Sequence, residues 1–95
     1  MQIVAILCPE HIEEKLEAKH GVTDREARQV LLGRSRIRFA EKGHTDGENV
    51  YVSFGHTMGG RYLAVFFIYK PTSQTAVIIS AREMSERERR TYGRK

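Results

Sequence analysis

The sequence predicts a single α+β domain, with helices packed on one side of a twisted antiparallel sheet of about four strands. Three observations carry this. Helix-start and helix-stop signals bracket residues 9–33, and a second set opens at Ser85. Between them the apolar residues change to a period of two. The chain has 95 residues, 40% of them hydrophobic, which is one domain burying roughly 65% of its unfolded surface.

The elements follow in order. Pro9 opens the first helix, where its missing N–H costs nothing; Ile12 and Leu16 share one face, and Gly21 supplies the left-handed stop. Thr23 starts a second helix, with Glu26 completing a capping box. Ala27, Val30 and Leu31 make its buried stripe, and Gly33 ends this N-terminal helical pair. Arg36-Ile37-Arg38-Phe39 alternates as a half-exposed strand does, and Asp46-Gly47 is the strongest hairpin signal in the chain. Asn49 to Phe54 is the next strand, with Val50, Val52 and Phe54 on one face. Gly59-Gly60 turns into Arg61 to Tyr69, which is apolar on both faces and therefore central. Pro71 breaks it, Ala76 to Ala81 is the last strand, and Ser85 with Glu88 caps a short basic C-terminal helix. Residues 2–7 offer an edge strand beyond these four.

Charge divides the chain. Residues 10–32 carry six acids and four bases, whereas residues 33–95 carry twelve bases and six acids. The whole chain is +4 with a pI near 9.5. A polyanion is thus expected to dock on the second part. The single cysteine, Cys8, excludes an internal disulfide and fits a reducing compartment. The apolar start before Pro9 is too short for a signal-peptide core or a membrane span. A cytoplasmic protein that uses no membrane is expected.

Several stretches taken in order resemble one known family. They are Lys19-His20-Gly21-Val22 followed by Glu26-Ala27, Gly55-x-Thr57, Gly60-Arg61, Ile78-Ile79-Ser80-Ala81-Arg82, and Glu88-Arg89-Arg90-x-Tyr92. The set, over residues 19–92, is similar to the BrnT family of bacterial type II toxins. The chain departs from the family pattern at Leu7-Cys8-Pro9-Glu10, in having no Trp, and in having His at position 56. The resemblance implies a RelE-like fold and RNA cleavage that arrests translation. It also implies neutralisation by a cognate antitoxin, expected to be of the ribbon-helix-helix type. Operator DNA would then be met only through that antitoxin, in a toxin–antitoxin heterotetramer or beside a toxin homodimer.

The residues allow such chemistry. RNA carries its own nucleophile, the 2′-OH, so cleavage needs a base, an acid and cations around the phosphate. No His, Cys, Asp and Glu spacing suits a metal, so metal-independent cleavage without a cofactor is expected. His20 is a candidate general base, since histidine titrates near neutrality. Lys19 beside it is a candidate RNA contact, although both equally suit the carbonyls ending a helix. Arg61 opens the central strand and Arg82 closes the last, so the two should fall at one end of the sheet and fork onto one phosphate. Arg82 alternatively pairs with Glu83 or Glu88. His56 at a strand end, and Arg89 and Tyr92 in the C-terminal helix, complete the candidate RNA contacts, with Tyr92 able to stack on an unpaired base.

Two other readings compete. Two helices and a hairpin also suggest a winged-helix DNA binder, but the second helix would enter the groove behind Asp24 and Glu26. The other is an assembly scaffold that binds protein through apolar area left over on the sheet. In the toxin reading that area, together with Arg89 and Tyr92, is where the antitoxin is expected.

Overall fold

The computed structural model describes residues 1–43 and 48–93. Its elements are β1 (Ala5–Leu7), α1 (Glu10–His20), α2 (Asp24–Leu32), β2 (Arg36–Glu41), β3 (Val50–His56), β4 (Tyr62–Lys70), β5 (Thr75–Glu83) and α3 (Glu86–Gly93). The Asp46-Gly47 hairpin signal lies outside the described residues.

Local signals place the helices. Pro9 precedes α1, and Gly21 ends it at φ 60°, with its N–H on Glu17 O and that of Val22 on Leu16 O. One residue later the Thr23 capping box starts α2, its two backbone–side-chain bonds each 3.1 Å long. The Ser85–Glu88 box opens α3 in the same way, at 2.8 and 3.1 Å.

The sheet corrects the sequence expectation in two respects. It has five strands in the order β1-β5-β4-β3-β2, and β1 lies parallel to β5, so the sheet is mixed. A strand therefore precedes the helical pair. Besides its ladder to β5, this N-terminal stretch is tied down by Val4 N–H on Gln74 O at 2.9 Å, the Arg28 guanidinium on Ile6 O at 3.1 Å and the Tyr69 hydroxyl on Gln2 O at 2.5 Å, with Ile3 and Ile6 packed against the core. The remaining strands form the expected antiparallel meander, with β4 in the middle.

The helices also divide between the faces. α1 and α2 cover one face, where Leu16, Val22, Ala27, Val30 and Leu31 pack on Leu63, Val65, Phe67, Ile78 and Ala81. Gly55 sits beneath α2, where a Cβ would stand 3.1 Å from Val30 and 3.2 Å from Ser35. Strand alternation sends Val52, Phe54 and His56 of β3, and Tyr62, Ala64 and Phe66 of β4, to the opposite face. Only the short α3 reaches that face, so it stays partly open.

Candidate active site

The open face gathers aromatic rings and cations. β3 and β4 place His56 directly opposite Tyr62, with ring centroids 5.8 Å apart. Tyr92 of α3 inserts its ring edge-on, 5.9 Å from Tyr62 and 6.3 Å from His56, and is only 7% exposed. Its hydroxyl lies 3.1 Å from His56 Nδ1 and 3.3 Å from the carbonyl of Arg34. The guanidinium of Arg89 stacks over Tyr62 at 4.3 Å, a cation–π contact that leaves its N–H groups free to donate sideways.

The hydrogen-bond arithmetic at Tyr92 assigns the histidine tautomer. The Arg34 carbonyl can only accept, and a tyrosine has one proton to give. Both contacts are satisfied when Tyr92 donates to Arg34 O and His56 Nδ1–H donates to the Tyr92 oxygen. In the neutral ring the other nitrogen, Nε2, then carries the lone pair, on an exposed side chain. That is the protonation pattern a general base requires.

Arg82 stands at the edge of the same face, its guanidinium 5.4 Å above the Phe66 ring. Glu88 holds it by two bonds of 2.7 and 2.9 Å. Those bonds, against the opposing effect of burial, hold the Glu88 carboxyl down at about 2 from an ordinary 4.5. The Arg82–Glu88 pairing, one of the alternatives in the sequence, is therefore realised.

Arg61 and Arg82 do not share an anion site. They fall at the same end of the sheet, but the register sets Arg82 against Ala64, whereas Arg61 has the parity of Leu63 on the helical face. Arg61 reaches Gly21 O at 2.8 Å, Glu26 at 2.9 Å and Glu83 at 3.3 Å. Burial alone would raise the Glu26 carboxyl, but bonds from Thr23 and Arg61 pull it below its usual range. Lys19 and His20 are exposed on the last turn of α1, in the layer across the sheet from His56. The structure thus brings His56, Arg89 and Tyr92 together, sets Arg82 beside them, and leaves Lys19, His20 and Arg61 apart.

The sequence reading missed Tyr62 and a neighbouring cleft lined by Arg36, Arg38, Phe54 and Arg87. Its signal was parity: Arg36 and Arg38 alternate with Ile37, and Phe54 with Gly55 and Ser53. Only the pairing of Arg36 with Phe54 reveals that these residues share a face. Among the described residues no group of three His, Cys, Asp or Glu could hold a metal ion. Among those residues, too, no helix is long and apolar enough to cross a membrane.

A family model for the ribonuclease toxin BrnT of type II toxin–antitoxin systems matches residues 10–88. The chain belongs to the BrnT family. The matched segment holds His56, Arg61 and Arg82, while Arg89 and Tyr92 lie just past its end. The 1.1 Å crystal structure of the Brucella abortus ribonuclease toxin BrnT is similar in fold, with a TM-score of 0.59 at 24% identity. That likeness covers 86% of this chain and 97% of the Brucella toxin. No curated protein matches the chain.

Proposed function

We propose that this chain is the toxin of a type II toxin–antitoxin pair and cleaves RNA on the open face of its sheet, without a metal ion. Membership of the BrnT family supports the ribonuclease reading. The observation that carries the site is the hydrogen-bond chain from His56 through Tyr92 to Arg34. His56 Nε2 takes the proton of a 2′-OH, and the 2′-oxygen attacks the adjacent phosphorus. The 5′-oxygen leaves with a proton from water. Arg89, stacked on Tyr62 but without a carboxylate partner among the described residues, supplies positive charge to the phosphate in flight. Arg82 acts through Glu88, holding α3 and with it Arg89 and Tyr92. Arg61 is read as a clamp on α2, and Lys19 and His20 take no part in this chemistry.

The protein should shorten RNA in the presence of EDTA and leave ends carrying a cyclic phosphate or 3′-phosphate. Strict dependence on added magnesium, or 3′-hydroxyl ends, would overturn the mechanism.

Neutralisation follows from the same surface. An acidic antitoxin segment covering Arg89 and Tyr92 blocks the RNA and is attracted by the basic face. In this reading the antitoxin, a ribbon-helix-helix protein, carries the operator contacts of a heterotetramer. Light scattering after size exclusion, first alone and then with the product of the adjacent gene, tests it. A monomer that binds nothing from its own operon contradicts it.

A further inference from the structure

We propose that the cleft between β2 and α3 is a subsite for one unpaired nucleotide of the RNA, its base against Phe54 and its phosphate held between Arg38 and Arg87. The proposal deepens the reading of the open face as the RNA side, and it rests on that reading.

The cleft encloses about 260 Å³. Sites that enclose whole drug-sized ligands run from about 300 to 1,000 Å³, so this one suits a single base. The rings of Phe54 and Tyr92 line it, β2 contributes Arg38, and α3 contributes Arg87 and Thr91 one turn apart. Arg28, Arg61, Arg82 and Arg90 each have a carboxylate partner. Among the described residues Arg38 and Arg87 have none. Arg38 and Arg87 thus line one cleft with no carboxylate of their own to neutralise them, which leaves both available to an anion. The carboxylate in the wall, Glu88, is taken by Arg82.

Flat ring surface beside cations is the pattern that captures single-stranded nucleic acid, because every base has a face to stack while the phosphates track the charge. A duplex hides its bases within the stack. An acidic peptide would satisfy the arginines but has no use for the rings. Position agrees: Tyr92 lines the cleft and also bonds His56, so a nucleotide here neighbours the phosphate to be cleaved.

The test is fluorescence anisotropy with a labelled single-stranded RNA made uncleavable by 2′-O-methylation. The double variant Arg38→Gln, Arg87→Gln should bind more weakly. Its plot of log affinity against log salt should flatten by about 0.7, the slope of the one phosphate contact that is lost. Phe54→Leu should weaken binding about tenfold, and Phe54→Tyr should restore it. Both arginines are exposed, so their variants remain informative even if Phe54→Leu disturbs packing. Unchanged affinity and salt slope in the arginine variant overturns the proposal. So does a variant that binds RNA normally but loses the antitoxin, which would make the cleft a protein interface. Cleavage of unmodified RNA is scored separately. Binding that depends on these residues without any cleavage upholds the subsite while the ribonuclease reading fails, and the converse result sinks the subsite alone.

Discussion

Arg61 and Arg82 are used alike, each from a strand end. Each holds the third-position glutamate of a capping box, Glu26 of α2 or Glu88 of α3, while that glutamate also accepts from its own N-cap backbone. Removing Arg61 leaves a partly buried carboxylate with one partner fewer. Arg61→Ala should therefore lower stability by about 1–2 kcal/mol in urea unfolding, with cleavage per folded molecule unchanged. His56→Gln should behave in the opposite way. Loss of its bond to Tyr92 should cost only about 0.5–1.5 kcal/mol of stability, but loss of a general base costs about 10²–10⁴ in rate. The sequence showed that Arg61 and Arg82 meet at one sheet end and missed that they point to opposite faces. Connection length locates a strand end, but parity depends on the register, here Ala64 against Arg82.

Local chemistry made most elements legible. The Pro9 start, the Gly21 stop and the capping boxes at Thr23 and Ser85 act within one turn, so all three helices appear where the sequence puts them. β1 was only an option, because it has three residues and its parallel partner begins 70 positions later, at Thr75. α3 is attached to the sheet through Glu88 on Arg82, Arg89 on Tyr62 and Tyr92 on His56, and the Tyr92 hydroxyl also bonds the Arg34 carbonyl just ahead of β2. Glu88 makes this attachment acid-sensitive. Its carboxyl titrates at about 2 in the fold against an ordinary 4.5. The stabilisation is thus complete above about pH 4.5 and is lost as pH falls towards 2. Near-ultraviolet circular dichroism from Tyr62 and Tyr92 should weaken across that interval. In Glu88→Gln the signal should already be weaker at neutral pH and respond less to acid. An unaltered profile in the variant would show that α3 is held otherwise.

In the proposed mechanism the whole molecule separates stability from chemistry by face. The helical face holds the fully buried Leu63, Val65 and Phe67, and Phe67→Ala there should cost about 3–5 kcal/mol, read as an earlier unfolding midpoint. The open face holds His56, Tyr62 and Tyr92 with Arg82 and Arg89, all from the basic part of the chain, residues 33–95. Composition could indicate which part of the chain carries the excess positive charge, because charge sums along the chain. It could not show that His56 meets Tyr92 while His20 lies in the other layer, because that depends on the sheet and on Tyr92 arriving from the C-terminal helix.

The most direct test follows cleavage of a defined RNA in EDTA by the wild type, His56→Gln and His20→Gln, with analysis of the product ends. Cyclic phosphate or 3′-phosphate ends are expected from the wild type and His20→Gln at similar rates, with His56→Gln slower by about 10² or more. Full activity in His56→Gln, or activity lost only in His20→Gln, would contradict the assignment of the open face as the active site.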